Sequence, residues 1–221
     1  MSLVGRIGVD ESGKGDYFGP LVIAACYVAP WHEALLDGVM DSKKLTDKKA
    51  LALAGVIKEH CPCSVIAVGP ERYNEMHAKM KNLNRMLEWG HAKAIENVLA
   101  MEGVDTKEVI SDQFANPAGL IRVLKAKGMD VQLESRVRAE SDLAVAAASV
   151  LARAAFLRAL ERLGDDLGVP LLKGAGPGVD QLARNLVSQR GEEVLRQVAK
   201  THFKTTEKVL GHPLNPLPSS N

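Results

Sequence analysis

The sequence predicts an α/β fold in which helices flank a central mixed sheet, with additional helices at the C-terminus. Short apolar segments rich in β-branched residues recur along the chain, and longer stretches with helical apolar spacing lie between them. The chain has 221 residues, 46% hydrophobic and 25% charged, which suits an ordinary globular protein. Because no repeat or long linker interrupts residues 1–211, we expect one domain there, followed by an irregular, proline-rich tail at 212–221.

Two strands are predicted near the N-terminus, over residues 5–10 and 20–28. Only a glycine-rich turn separates them, so we expect antiparallel neighbours. Thr46 is a suitable N-cap for a helix that runs to about residue 59. The later predicted elements are strands at 64–68, 109–112 and 130–134, and helices at 83–101, 117–127, 143–163, 179–189 and 192–199.

Composition excludes several classes of protein. The formal net charge is +1, so any affinity for nucleic acid must come from local clusters of basic residues. The longest apolar run, residues 21–29, is about half the length of a membrane span, and the N-terminus lacks the pattern of a secretory signal. We therefore expect a cytoplasmic protein without a membrane segment. Cys26, Cys61 and Cys63 lack metal-binding spacing and are interpreted as reduced structural thiols.

The most informative segment is residues 8–20, GVDESGKGDYFGP. An apolar strand ends there in two adjacent carboxylates, Asp10 and Glu11, and Mg²⁺ prefers such oxygen ligands. Lys14 follows between Gly13 and Gly15, which allow backbone and cation to approach a phosphate or a sugar closely. This combination favours metal-assisted chemistry on a phosphate ester.

The same segment comes close to the phosphate-loop pattern of nucleoside triphosphatases. That pattern requires Ser or Thr after the lysine to hold Mg²⁺, and Gly15 stands there instead. Asp10 and Glu11 would also place negative charge inside a loop that binds phosphate. We therefore reject this interpretation.

Further carboxylates stand at the ends of predicted elements: Asp112 closes a strand, and Glu140 or Asp142 precedes a long alanine-rich helix. Two such charges about 4 Å apart repel by about 4 kcal/mol at an effective dielectric of 20, so their convergence would require cations. Two metal ions can then activate water and stabilise a leaving oxygen. Spacing alone does not single these residues out among 27 acidic residues, because Asp16, Asp41 and Asp180 satisfy it equally well.

Several motifs closely resemble those of ribonuclease HIII, a type 2 RNase H. They occur in family order between residue 8 and about residue 208: DESGKGDYFGP at 10–20, DSKKL at 41–45, SDQFA at 111–115, ESDLAVAAAS at 140–149 and KTHFK at 200–204. The resemblance implies an RNase H-like fold and an endonuclease that cuts the RNA strand of RNA–DNA hybrids with Mg²⁺ or Mn²⁺ at a two-metal site. It also implies products with 3′-hydroxyl and 5′-phosphate ends.

Carried over residue by residue, the resemblance implies four catalytic metal ligands: Asp10, Glu11, Asp112 and Glu140. Glu140 is preferred to Asp142, because the pattern Glu-Ser-x-Leu-Ala-Val-Ala is of the HIII type. Gly13, Lys14 and Gly15 would read the ribose 2′-hydroxyl, which distinguishes RNA from DNA. The residues expected to contact phosphates are Ser42, Lys43, Lys44, Lys200 and Lys204, with Lys200, Lys204 and Lys208 forming one basic stripe if this segment is helical.

The family usually carries an N-terminal substrate-binding domain, whereas the first motif here begins at residue 8. We therefore expect that domain to be absent or to have been removed, and the grip on a hybrid to be weaker. No protein partner is implied, and a monomer is expected. Two alternatives remain open: incision at a single ribonucleotide embedded in duplex DNA, as in ribonuclease HII, and a catalytically silent nucleic-acid-binding module. The retained acidic residues argue against the silent module, because carboxylates that face phosphate would not help a protein that only binds nucleic acid.

Overall fold

The structure, a computed structural model, describes residues 5–112, 117–136 and 139–214, except for the side chain of Glu140. Its strands are β1 (Arg6–Ser12), β2 (Leu21–Val28), β3 (Cys63–Val68), β4 (Glu108–Asp112) and β5 (Gln132–Arg136). They form one sheet in the order β3-β2-β1-β4-β5. β1 is antiparallel to β2 and parallel to β4, and β4 is parallel to β5. The predicted mixed sheet and the antiparallel pairing across the glycine-rich turn are confirmed.

Helices account for most of the rest of the described chain. They are α1 (Asp47–His60), α2 (Pro70–Met80), α3 (Leu83–Leu99), α4 (Pro117–Ala126), α5 (Leu143–Leu167), α6 (Pro177–Arg190), α7 (Val194–Val198) and α8 (Lys204–Leu210). Short 3-10 helices occur at Pro30–Leu35, Ser42–Lys44 and Ala139–Ser141. The Thr46 side chain caps α1 by accepting from the backbone N–H of Lys49, as predicted.

Helix α2 was not predicted from the sequence. It begins at Pro70, directly after Gly69, and it buries Tyr73 and Met76. A Gly-Pro pair is typical of a turn, but proline at the first helical position is favourable because its missing N–H would have no partner there. Its C-cap is Lys81, whose backbone adopts a left-handed conformation with φ of 50°.

Two other predictions need correction or stay open. The strand predicted at 130–134 lies at Gln132–Arg136, because Asp130 pairs with Lys107 at the surface while the backbone N–H of Gln132 donates to the Lys107 carbonyl. Most of the predicted irregular tail, residues 215–221, lies outside the described residues.

The chain forms two compact units, each assembled from separate segments. The first comprises Met1–Ser12, Val22–Ala67 and Asn84–Leu157, and therefore the sheet with α1, α3, α4 and most of α5. The second comprises Gly13–Leu21, Val68–Leu83 and Arg158–Asn221, and therefore α2, the end of α5 and α6 to α8.

Helix α5 is the core helix of the first unit. Among described helices it alone is long and apolar enough to cross a membrane by length and composition, but 67% of the most apolar window is buried inside the protein. Small side chains allow α5 to approach the sheet: a Cβ atom on Gly8 of β1 would lie 2.1 Å from the Ala144 carbonyl carbon and 2.2 Å from the Val145 nitrogen. Glycine is therefore required at position 8, because the backbone of α5 occupies the space of a side chain.

Helix α3 approaches the sheet in a similar way. A Cβ atom on Gly90 would lie 2.5 Å from Cδ1 of Ile23 in β2. Since Ile23 is the partner of Glu11 in the antiparallel register, this close approach brings α3 to the carboxyl end of β1.

Candidate active site

The two adjacent carboxylates of β1 face opposite sides of the sheet. Successive side chains of a strand alternate between faces, so Asp10 lies on the face of Gly8 and α5, whereas Glu11 lies on the other face. Each carboxylate therefore has a different set of neighbours. Although Asp10 and Glu11 are adjacent in the sequence, different parts of the structure support their side chains.

On the α5 face, Asp10 is held by two donors. The backbone N–H of Glu11 donates to its Oδ1 over 2.8 Å, and the hydroxyl of Ser149 in α5 donates to the same carboxylate. Ser149 in turn shares a hydrogen bond of 2.7 Å with the hydroxyl of Ser42. A chain of contacts thus connects Asp10 to the Asp-Ser-Lys-Lys loop.

On the opposite face, Glu11 contacts a histidine from α3. Nε2 of His91 lies 3.3 Å from Oε2 of Glu11. His91 is buried, with 1% of the side chain exposed, whereas 20% of the Glu11 side chain is exposed. The glutamate therefore touches a buried imidazole and still reaches solvent.

Asp112 ends β4 next to the end of β1. The parallel register pairs Val9 with Ser111, and one residue further along both strands stand Asp10 and Asp112. The pKa of Asp10 is raised from 3.8 to about 7, chiefly by burial and further by the negative charges of Glu11 and, to a smaller extent, Asp112. The hydrogen bonds from Ser149 and from the Glu11 backbone act in the opposite direction. Three acidic side chains thus act on one another at the sheet edge.

The structure bears on the choice between Glu140 and Asp142. The Asp142 carboxylate contacts Arg6 over 2.5 Å through Oδ2, and its Oδ1 accepts from the backbone N–H of Ala144 at the start of α5. Both oxygens of Asp142 therefore have structural partners, as expected of a helix N-cap.

The side chain of Glu140 lies outside the described part of the structure. Its backbone belongs to the 3-10 helix Ala139–Ser141, which packs against β4, and Ala139 is buried with Ile110 and Val145. Position 140 is therefore anchored beside the strand that ends at Asp112. This placement and the engagement of Asp142 favour Glu140 as the fourth ligand.

The negative charges of Asp10, Glu11 and Asp112 suit the binding of a divalent cation. Among residues whose side chains the structure describes, no group of three His, Cys, Asp or Glu residues could hold a metal ion by itself. The set predicted from the sequence also includes Glu140, whose side chain lies outside the described residues. The observation that fits a cation is the raised pKa of Asp10. Burial is its largest cause, and a positive ion would stabilise the buried carboxylate and offset the repulsion from Glu11 and Asp112.

The Asp-Ser-Lys-Lys loop was predicted to contact phosphate through Ser42, Lys43 and Lys44. Both lysines are exposed, in agreement with that role. Ser42, however, is 6% exposed, and its hydroxyl is engaged by Ser149, so a direct hydroxyl contact with substrate is not supported. The position of Ser42 instead favours a role in supporting Ser149, which holds Asp10.

Arg153 of α5 fixes the same loop. Its guanidinium donates to the Ser42 carbonyl and forms an ion pair of 2.6 Å with Asp47. Asp41 stabilises the turn by accepting from the backbone N–H of Lys43 over 3.0 Å. The two exposed lysines therefore stand on a rigid support.

The second unit contains the glycine-flanked lysine. Gly13 is buried and has a φ of 85°, a backbone conformation that favours glycine, whereas Lys14 and Gly15 are exposed. The segment is braced at Asp16, whose Oδ1 accepts from the backbone N–H of Gly174 over 2.6 Å. These observations agree with a binding loop whose exposed residues are held in place by hydrogen bonds at Asp16.

Lys200 requires a correction. It was predicted to contact substrate, but it is 0% exposed, and its ammonium donates to the Asp16 and Gly19 carbonyls over 2.8 and 2.7 Å. Burial lowers its pKa from 10.5 to about 7, and the charge of Asp16 partly opposes this shift. The ammonium also lies 5.7 Å from the centre of the Tyr73 ring. Lys200 therefore braces the segment after Gly15 from within.

The predicted basic stripe is also wrong. α8 begins at Lys204, so Lys200 precedes that helix instead of sharing its surface. Lys208 forms an ion pair of 3.3 Å with the buried Asp180. Lys204 is exposed and stays a predicted phosphate contact.

Sequence reasoning overlooked Ser149 and Arg153, and it interpreted His91 only as a structural helix residue. A signal existed for two of them: Ser149 interrupts a run of alanines in an apolar helix, and His91 follows a glycine on a buried helix face. Neither signal reveals which carboxylate the side chain meets, since that depends on how the helices pack on the sheet.

The fold is that of an RNase H-type nuclease. A family model described as Ribonuclease HII matches residues 7–206. A protein from Protochlamydia amoebophila (strain UWE25), named Ribonuclease HIII, is 45% identical over 213 residues, which cover 96% of this chain and 70% of the relative. A Ribonuclease HIII from Chlamydia pneumoniae is 46% identical over 208 residues and covers 92% and 70%.

A solved structure of Bst-RNase HIII in complex with Mn²⁺ has a TM-score of 0.87 and 35% identity, covering 95% of this chain and 70% of the other. The chain belongs to the type 2 ribonuclease H family, with ribonuclease HIII proteins as its relatives. It is accordingly an RNase H endoribonuclease, a hydrolase. The chain spans about 70% of the length of these relatives.

Proposed function

We propose that this endoribonuclease hydrolyses the RNA strand of RNA–DNA hybrids with two divalent cations, Mg²⁺ or Mn²⁺, and leaves 3′-hydroxyl and 5′-phosphate ends. Asp10, Glu11, Asp112 and Glu140 would hold the ions. The observation that carries the proposal is a buried Asp10 at the sheet edge, whose pKa is raised chiefly by burial and further by the negative charges of Glu11 and Asp112. The Mn²⁺ bound to the Bst relative supports the choice of ion.

The bound ions would supply an activated water and would stabilise charge on the leaving oxygen. The protein's own contribution is orientation. Ser149 fixes Asp10, and the register of β1 with β4 keeps Asp112 beside it. Preorganised carboxylates do not have to rearrange when the ions and the phosphate arrive, which lowers the barrier.

Substrate binding is assigned to exposed groups on fixed supports. Gly13, Lys14 and Gly15 would approach the ribose 2′-hydroxyl closely, because the two glycines leave the backbone accessible. Lys43 and Lys44 would contact phosphates of the duplex, and Lys204 is a further candidate. We expect the enzyme to act as a cytoplasmic monomer on nucleic acid, without a membrane or protein partner.

The test is cleavage of an end-labelled RNA–DNA hybrid with Mg²⁺, Mn²⁺ or chelator, for the native chain and for Asp112→Asn. We expect metal-dependent cutting, and a loss of about 10³-fold or more in the variant because a metal ligand contributes several kcal/mol. Asp130→Asn is the matched control, since Asp130 is an exposed surface acid paired with Lys107. Full activity of Asp112→Asn would overturn the site.

A second substrate separates the alternatives. The matching family model is that of ribonuclease HII, which favours incision beside a single ribonucleotide embedded in duplex DNA as the runner-up. Cutting of that duplex in preference to a long hybrid would select the runner-up. Binding of the hybrid without cleavage in any metal would select a silent binding module. Extension of the cleaved RNA by a polymerase tests for the 3′-hydroxyl end.

A further inference from the structure

We propose that His91 is a positioning residue for Glu11: through Nε2 it fixes the carboxylate in the orientation that binds the cation. This inference rests on the proposed function, because it assumes that Glu11 is a metal ligand. It assigns to a buried helix residue a role that its position in the sequence does not reveal.

The contact joins an imidazole nitrogen to a carboxylate oxygen. Nε2 of His91 and Oε2 of Glu11 are 3.3 Å apart. His91 is 1% exposed, so it has no access to substrate and cannot itself be a catalytic residue. Glu11 is partly exposed, which leaves its carboxylate accessible to an ion while the buried imidazole supports it.

The packing of α3 makes this contact possible. Gly90, the residue before His91, lies against Ile23 so closely that an added Cβ would be 2.5 Å from Cδ1. Ile23 is the register partner of Glu11, so the point of closest approach lies beside the glutamate. A larger residue at position 90 would have to displace the Ile23 side chain, which lies beside Glu11.

The chemistry follows from the donor capacity of imidazole. A neutral histidine with its proton on Nε2 donates one N–H and can hold one carboxylate oxygen. Groups that support a metal ligand in this way fix its rotamer and are commonly worth about 10- to 100-fold in metal affinity. On one sheet face His91 thus places an imidazole nitrogen 3.3 Å from Glu11, and on the other Ser149 donates a hydrogen bond to Asp10.

The test measures Mn²⁺ binding by calorimetry at pH 8 without nucleic acid, for the native chain, His91→Leu and His91→Gln. We expect the leucine variant to bind Mn²⁺ about 10- to 100-fold more weakly. Glutamine keeps an N–H donor and should restore most of the affinity. In hybrid cleavage, the leucine variant should need more Mn²⁺ for half-activation, with KM for the hybrid unchanged at saturating metal.

His32→Leu is the matched control. His32 is also buried in the first unit, but its Nδ1 accepts from the backbone of Ala29, and its ring packs against Tyr27 and Trp31. Its replacement should lower the melting temperature without changing Mn²⁺ affinity.

Native Mn²⁺ affinity in His91→Leu would overturn the inference. If that variant does not fold, His91→Phe gives the same test, because it keeps a buried ring but has no N–H donor: weaker Mn²⁺ binding supports the inference, and native affinity overturns it. Failure of the proposed function is distinguishable, since the native chain itself would then neither bind Mn²⁺ nor cleave a hybrid.

Discussion

Asp10 in the first unit and Lys200 in the second are both ionisable groups withdrawn from water, and burial moves both pKa values to about 7 from opposite directions. Their partners differ. The Lys200 ammonium donates to two main-chain carbonyls, so the protein satisfies it internally. The Asp10 carboxylate receives two hydrogen bonds, but Glu11 and Asp112 add negative charge around it.

This difference distinguishes a buried charge that the fold satisfies from one that we propose binds a cation. Burial alone does not distinguish them, because desolvation is the largest cause of both pKa shifts. A buried cation that finds carbonyl oxygens serves the fold. A carboxylate beside like charges is relieved only by a proton or by a cation from solution.

The largest expected effect is that of Asp10→Asn, which should lower the cleavage activity and raise the stability. Cleavage should fall by about 10³-fold or more, as for any lost metal ligand. Without metal at pH 8, the free energy of unfolding should rise by about 1–3 kcal/mol, because the neutral amide removes the cost of ionising Asp10. Chemical denaturation in chelator measures the second effect.

The pH dependence follows from the raised pKa. Between pH 3.8 and about 7 the folded protein retains a proton on Asp10 that the unfolded chain has released, so native stability decreases as pH rises through this range. The gain in Asp10→Asn should therefore disappear below about pH 4. An equal gain at pH 4 and pH 8 would contradict this explanation.

Lys200→Met should cost about 2–5 kcal/mol in the free energy of unfolding, because two main-chain carbonyls lose their donor. The native protein should also become more stable from about pH 7 to pH 10, since the unfolded chain binds a proton that folded Lys200 has lost. The variant should lack this contribution. Denaturation curves at pH 7 and pH 9 measure both effects.

Lys204→Met is the control for that experiment, because Lys204 is exposed at the start of α8. It should leave both the stability and its pH dependence unchanged. A Lys204 variant that behaved like Lys200→Met would show that the brace is not specific to the buried amine.

Ser149→Ala should lower kcat by about tenfold while the KM for a hybrid stays the same, because it removes a support of Asp10 and no substrate contact. Ser42→Ala should have a smaller effect in the same direction, since Ser42 acts on Asp10 only through Ser149. Steady-state kinetics on a labelled hybrid measure both. A rise in KM for Ser42→Ala alone would restore the direct substrate contact expected from the sequence.

The smallest expected effect is that of Lys43→Ala and Lys44→Ala on binding. Each lost phosphate contact should reduce the slope of log affinity against log salt by about 0.9 for a duplex. Hybrid binding to a catalytically inactive variant across salt concentrations measures this slope. Lys107→Ala, an exposed lysine paired with Asp130, should leave it unchanged.

Most helices and strands could be predicted from the sequence because the residues that define their ends lie close together in the chain. Thr46 caps α1 through a bond to Lys49 three residues away, and the turn between β1 and β2 fixes their antiparallel pairing. Helix α2 escaped prediction because its start, Gly69-Pro70, is equally typical of a turn. The role of Lys200 was misjudged because residue spacing does not show whether a lysine faces water.

By itself the sequence determined the family, the acidic residues at the strand ends and the exposed lysines of the Asp-Ser-Lys-Lys loop. These features are motifs of adjacent residues in a fixed order, which can be recognised without knowing how the chain folds. Only the tertiary structure decided that Ser149 supports Asp10, that His91 meets Glu11 and that Lys200 lies inside. These contacts join residues far apart in the chain. They depend on two places where glycine lets a helix reach the sheet, and such distances are set by packing.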